Sequence, residues 1–369
     1  MARDILYLDQ AAAARPAPEV LDYYRVALER CFANQEAAHS MGYALRRELD
    51  LAASELSAAL TGSPDRAVVW GNSGTELLAL LADSPAAAGR CVLSTPLEHP
   101  ASGANFRRAA ARVELFKVDR TGRIAAPPEG AAPGLLMIHH VQSELGVVQE
   151  PERWRALFPG VPLAVDAIQS AGKLPLPEAD YLVVSGHKFG SPGGAALLVS
   201  PRCPDRERFL AWARDRRSRD YRIGRPEPAL MLTLSFAAKR AARERTRRFE
   251  AARRCSQLLR DRLTGVALPG GGRLYFTIPE AFSSPWICHL MLPGLQAGVV
   301  VRMLAERGVM CASGSACASE SGEPSAALRA IGLPRRDGYS GLRISFGPEP
   351  EEEAAEKFVQ LLPEVLKNY

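Results

Sequence analysis

Ser185-Gly186-His187-Lys188-Phe189-Gly190-Ser191-Pro192-Gly193-Gly194 is the stretch on which the reading of this chain turns. An apolar run, Tyr181-Leu182-Val183-Val184, precedes it, and a second, Ala195-Ala196-Leu197-Leu198-Val199, follows it. Both have the length and composition of buried strands. A lysine on a glycine-rich turn between two such strands admits two readings. Lys188 is either an ordinary residue on a turn made by glycines, or a buried amine of lowered pKa that forms an imine with an aldehyde cofactor. The turn alone leaves both open.

Outward from this turn, strands alternate with helices, and polar residues recur where strands end. The run Ala67–Trp70 leads into Gly71-Asn72-Ser73-Gly74-Thr75-Glu76 and then an apolar helix. Strand, small polar turn and helix start form a geometry in which free backbone N–H groups hold a phosphate; a helix that is merely capped reads the same way. Strands at 91–94, 113–118, 135–138 and 163–166 continue the alternation, with helices expected at 43–60 and 103–111. The rim of strand ends in an open α/β sheet is where ligands bind. Asp166, closing the Leu163-Ala164-Val165 run, is either a helix cap or an acid paired with a protonated pyridine nitrogen.

The second half reads differently. A helix beginning at 226–241 runs on through a basic segment, Lys239–Arg262. Beyond it lies a smaller α+β unit, with strands at 273–278, 287–292, 309–311 and 342–346 and helices at 298–306, 324–331 and 350–368. Within it, Ala312-Ser313-Gly314-Ser315-Ala316-Cys317-Ala318-Ser319 places a cysteine on a small, polar, Gly/Ser-rich loop, the setting of an exposed, mobile thiol. Arg343, inside an apolar strand, is either a buried ion-pair partner or a fork for a substrate carboxylate.

Composition sets the frame. At 369 residues, 47% hydrophobic and 24% charged, the chain has the make-up of a soluble enzyme with a large domain and a smaller companion. The expected division is 12–250 for the large domain, and 1–11 with 251–369 for the small one. The first residues lack the apolar core of a signal peptide and no apolar run spans a bilayer, so a cytoplasmic protein without membrane contact is expected. The seven cysteines include no Cys-x-x-Cys pair, which argues against a zinc ribbon or disulfide framework, and no metal site is expected. The net charge of +5 lies largely in Arg214–Arg222 and Lys239–Arg262. The second run interleaves apolar residues at helical spacing, so it reads as a solvated amphipathic helix rather than a nucleic-acid surface.

Taken together, the motifs resemble the cysteine desulfurases, within the class V aminotransferase branch of fold-type I pyridoxal-phosphate enzymes. The resemblance rests on Tyr7-Leu8-Asp9-Gln10-Ala11-Ala12, Asn34…His39…Gly42, Ser73-Gly74-Thr75-Glu76, Glu98-His99, Glu144-Leu145-Gly146 and Asp166…Gln169…Gly172-Lys173. It continues through Ser185-Gly186-His187-Lys188, Gly314-Ser315-Ala316-Cys317 and Arg343-Ile344-Ser345-Phe346-Gly347. These pieces span nearly the whole chain in the family's order.

The resemblance implies a large α/β domain with a mostly parallel sheet, a small α+β domain and a homodimer. It implies Lys188 as the lysine that carries pyridoxal 5'-phosphate and His99 as the ring against the pyridine. Asp166 would serve the pyridine nitrogen and Gln169 the phenolate oxygen, with Gly74, Thr75, Ser185 and His187 on the phosphate. Cys317 would accept sulfur from L-cysteine as a persulfide, leaving L-alanine, and Arg343 would clamp the substrate carboxylate near Asn34 and Ser143. A sulfur-acceptor protein follows, as in iron–sulfur cluster assembly. Three departures stand out: Ser143 where the family has Asn, Arg225 where it has Thr, and Arg214-Asp215-Arg216-Arg217-Ser218-Arg219-Asp220 where it has a Gly-Gly-Gln-Glu-like stretch. Alternative expectations are a lyase for selenocysteine, cysteine sulfinate or cystine, and a catalytically weak scaffold.

Overall fold

The computed structural model describes residues 5–219, 227–314 and 324–369. Its centre is a seven-stranded sheet in the order Ala67–Gly71, Ala195–Val199, Tyr181–Ser185, Leu163–Asp166, Leu135–His139, Cys91–Ser94 and Arg112–Leu115. From Tyr181–Ser185 to Arg112–Leu115 neighbouring strands run parallel, whereas Ala195–Val199 runs antiparallel to both its neighbours. Connection length explains the exception. Nine residues separate Ser185 from Ala195, and a parallel crossover needs a dozen or more.

The strands are apolar throughout because both faces are covered. Alternate residues serve opposite sides. Leu136, Ile138, Leu163, Val165, Leu182 and Val184 pack with Val20, Leu56, Trp154 and Leu234 on one face. Leu135, Met137, Ala164, Tyr181 and Val183 pack with Leu77, Leu81, Phe106 and Phe209 on the other. The result is an α/β sandwich whose strand ends open on one edge.

Several element boundaries differ from expectation for local reasons. The helix expected from Tyr43 starts at Ser40, because His39 caps it by accepting the Gly42 N–H through Nδ1 at 3.2 Å. The helix expected from Gly103 starts at Pro100, again behind a capping histidine, His99. The strand expected at 113–118 is broken. Arg112–Leu115 stays in the large sheet, while Lys117–Val118 turns into a separate pair with Ile124–Ala126. Between them Phe116 is buried, and Asp119 gathers the N–H groups of Thr121 and Arg123 into a tight turn.

The helix Pro228–Leu263 serves two cores. Leu234, Ala237 and Ala238 lie against the large sheet. Ala252, Cys255, Leu259 and Leu263 join a second cluster with Trp286, Leu290, Ile344 and Phe358. Its buried side passes from one core to the other between Ala238 and Ala252. Strands Tyr275–Phe276, Ile287–Met291 and Gly341–Ser345 form a three-stranded sheet within the second cluster. Leu6–Tyr7 pairs with Val309–Met310. Among the described residues no helix is long and apolar enough to cross a membrane.

Leu182 is fully buried at the centre of the large sheet. Leu182→Ala is expected to cost about 2–5 kcal/mol, read as a lower urea midpoint by circular dichroism; an unchanged midpoint would contradict its place in the core.

Candidate active site

The Ser185–Gly194 turn is held by its own backbone. Gly186 N donates to Gly194 O at 2.9 Å, and Ser191 N donates to Gly186 O at 3.0 Å. A side chain at Gly186 would collide with the Gly193 carbonyl and with Ser191 and Leu234. The short 3-10 turn Gly186–Lys188 therefore leaves the strand sharply and aims Lys188 across the sheet edge. Its Nζ donates to the carbonyl of Ala12. Burial first, then the Arg343 guanidinium, lowers its pKa to about 8.

Lys188 faces a cavity of about 220 Å³ lined also by Ser73, Gly74, Thr75, His99, His139, Ser143, Asp166, Gln169, Ser185, His187 and Arg343. Most come from strand ends, helix starts or the turns that follow strands, whereas Arg343 stands mid-strand in Gly341–Ser345. The helix Gly74–Asp83 begins in this wall. Ser73 caps it by accepting the Glu76 N–H at 3.2 Å, and Glu76 accepts the Asn72 N–H in return. The first amides of a helix have no intrahelical acceptor, so Gly74 and Thr75 bring N–H groups and a positive helix end to the cavity. A Cβ at Gly74 would strike Ile168; only glycine leaves the cradle open. Ser185 Oγ and His187 Nδ1 lie 3.2 Å apart on the same wall.

Asp166 lies in the floor. It accepts the Ile168 N–H at 2.9 Å, yet burial pushes its carboxyl up to about 6. An acid so placed favours a cationic partner. Gln169 donates through Nε2 to Ala11 O at 2.9 Å and keeps Oε1 buried without a partner. His99 Nδ1 accepts the Ala101 N–H at 3.2 Å, and burial, then Lys188, lowers its pKa. Its ring proton therefore sits on Nε2 while the ring is neutral. These features fit pyridoxal phosphate: an open phosphate cradle, a raised acid for the ring nitrogen, an unpartnered amide oxygen and an amine of lowered pKa.

Arg343 reaches the cavity from the C-terminal sheet. It donates to Asp9 Oδ1 at 2.6 Å and to the Ser143 carbonyl at 2.8 Å, with Nε buried and unpartnered. Asn34 does not come to this cavity. It is exposed, and its Oδ1 accepts the Glu36 N–H in a local turn. Cys317 and Arg225 lie outside the described residues. The flanks of the Cys317 segment are placed: Ala312 pairs with Arg343 through two backbone hydrogen bonds, and Ser325 Oγ donates to Glu144 at 2.5 Å. Sequence reasoning assigns no role to His139, nor to Ala11 and Ala12. These two act through carbonyl oxygens, which no side-chain pattern announces.

The family model for aminotransferase class-V matches residues 6–207, so the chain belongs to that family, whose members depend on pyridoxal phosphate. It is 26% identical over 384 residues to a cysteine desulfurase of Gluconacetobacter diazotrophicus, covering 98% of this chain and 93% of the relative. It is 27% identical over 383 residues to a protein of Bacillus subtilis strain 168 named putative cysteine desulfurase IscS 1, covering 98% and 99%. Among solved structures, a NifS-like protein from Rickettsia africae superposes with a TM-score of 0.80 at 18% identity, covering 98% of this chain and 99% of that one. That likeness shows a shared fold.

The lowered pKa of Lys188 has a sign. Its neutral, nucleophilic fraction grows as pH rises through about 8. Pyridoxal phosphate uptake by the apo-protein, followed by absorbance, is expected to accelerate over that range and level off above it. Lys188→Ala should leave no cofactor attached after borohydride reduction.

Proposed function

We propose that this protein is a pyridoxal-phosphate-dependent cysteine desulfurase, converting L-cysteine to L-alanine with sulfur retained as a persulfide on Cys317. The observation that carries the reading is one cavity lined both by Lys188 with Asp166 and by Arg343, whose own strand pairs with Ala312 at the start of the Cys317 segment. The first two suit the cofactor; Arg343 suits an amino-acid carboxylate, and the pairing brings the flank of the thiol segment to the same edge.

Bound pyridoxal phosphate supplies an electron sink that makes the Cα proton of an amino acid acidic. The residues around it have separable tasks. Gly74, Thr75, Ser185 and His187 would bind the phosphate, and Asp166 would hold a proton at the pyridine nitrogen. Gln169 would bond the phenolate oxygen. Lys188 Nζ would accept the Cα proton of the substrate; its lowered pKa suits a base working near neutrality. His99 carries a proton on Nε2 that it exchanges with the substrate side chain. Arg343 is a planar fork for the carboxylate, and Ser143 contributes its hydroxyl to the same wall.

The overall change balances. A bond forms between Cys317 Sγ and the substrate sulfur while the substrate C–S bond breaks. The thiol proton of Cys317 ends on the methyl group of alanine. The persulfide then passes to a sulfur-acceptor protein, as in iron–sulfur cluster assembly, and the setting is cytoplasmic.

A homodimer belongs to the same proposal. Seven of the large apolar side chains exposed among the described residues, Leu21, Val26, Leu28, Phe32, Met41, Tyr43 and Leu51, fall between residues 21 and 51. Such a concentration suits burial by a second copy.

Cys317→Ser is expected to abolish both alanine release from L-cysteine and the mass increment of one sulfur atom. Alanine release unchanged in that variant would overturn the proposal in favour of a lyase that needs no thiol. Arg343→Ala should raise KM for L-cysteine by about 10–100-fold, since a charged hydrogen-bonding partner contributes about 1.5–3 kcal/mol.

A further inference from the structure

Behind the cavity wall, a second carboxylate and a second histidine are hydrogen-bonded to each other, and none of the roles above uses them. Glu98 Oε1 accepts the His139 backbone N–H at 2.9 Å and the Thr95 hydroxyl at 3.0 Å, and lies 2.8 Å from His139 Nδ1. The two side chains are 3% and 4% exposed. His139 ends the strand Leu135–His139, pairs in register with Asp166 on the next strand, and lines the cavity. Glu98 immediately precedes His99.

The proton on His139 can be placed from its neighbours. Gln149 Oε1 accepts the Ile124 N–H at 3.1 Å, and its Nε2 donates to Gly122 O at 2.7 Å. These bonds fix which end of the amide is which. The amide nitrogen is therefore the atom that faces His139 Nε2, at 3.5 Å. An amide nitrogen only donates, so His139 Nε2 is the accepting nitrogen and the ring proton sits on Nδ1, aimed at Glu98. A second proton on Nε2 would set N–H against N–H. With that one proton on the ring, the couple carries the single negative charge of Glu98. The second oxygen of Glu98 is buried with no partner, so no further donor disperses that charge.

We propose that Glu98 and His139 are positioning residues: a buried couple, its hydrogen bonds fixed by Thr95 and Gln149, that supports the proton held between Asp166 and the cofactor's ring nitrogen. A negative charge one strand away in a low-dielectric wall stabilises that proton. The couple also anchors the backbone from which His99 enters the cavity. The other groups facing it are His140, held down to about 4 by burial and neutral at ordinary pH, with His99, Lys188 and Asp166 on the cavity side. The inference rests on the pyridoxal-phosphate reading of the site.

Two measurements on the holo-protein test it. Nitrogen NMR of 15N-histidine-labelled protein should show His139, assigned by its loss in His139→Gln, as the Nδ1–H tautomer at neutral pH; an Nε2–H tautomer or an imidazolium overturns the inference. In Glu98→Gln, which keeps the shape and removes the charge, the pH midpoint of the bound cofactor's visible absorbance should fall by about one unit, a tenfold loss of proton affinity. Gln149→Leu, which frees His139 to take a second proton, should move the midpoint the same way. Midpoints unchanged in both variants, with cofactor still bound, overturn the inference and leave the proposed function standing. A wild-type protein that takes up no pyridoxal phosphate overturns the proposed function itself.

Discussion

Residues 9–14 tie the two parts of the cavity together. Asp9 holds Arg343, and Ala11 N donates to Ser345 Oγ at 2.9 Å, both on the C-terminal sheet. The carbonyls of Ala11 and Ala12 accept from Gln169 and Lys188 on the large sheet, and Ala14 N donates to His187 O at 2.7 Å. One short stretch, turning at Gln10–Ala12, thus sets the spacing between the amine and the guanidinium. It adds to the hydrogen bonds that Arg343 and Ser325 make to Ser143 and Glu144, and such directed bonds tolerate less shift than side-chain packing does.

Much of this was readable in the chain. The glycine turn, the apolar strand before it and the acid closing Leu163–Asp166 point to a sheet edge that gathers chemistry, because buried parallel strands are apolar until their ends. Boundaries were less legible wherever a histidine acts as a cap. His39 and His99 are weak cap signals beside Ser, Thr, Asn or Asp, and each moved a helix start by three residues. Asn34 shows the opposite failure. It sits in the expected motif, but the local turn with Glu36 claims its side chain. The antiparallel strand Ala195–Val199 was implicit in a loop length, and the roles of Ala11 and Ala12 were not visible at all.

The electrostatics of the cavity run against its burial. An amine, a guanidinium and carboxylates converge where desolvation penalises every charge. The outcome is a set of groups displaced toward neutrality, with Lys188 lowered to about 8 and Asp166 raised to about 6. Arg343, paired with Asp9, is the member that keeps a strong directional partner. Such a site is poised for a ligand carrying its own charges, because the groups that would meet it are held away from their ordinary protonation.

The helix Pro228–Leu263 adds a mechanical consequence. At 36 residues it is about 54 Å long, with one end seated on the large sheet and the other in the core beneath the Arg343 strand. Buried Arg248, bonded to Glu244 and Glu349, grips it near the crossing between the two cores. A rod held at its middle acts as a lever. A tilt of about 10° at the grip displaces either end by about 5 Å, given the rise per residue of a helix, which is close to the width of a substrate side chain. One helix thus spans the distance between the core beneath Lys188 and the core beneath Arg343.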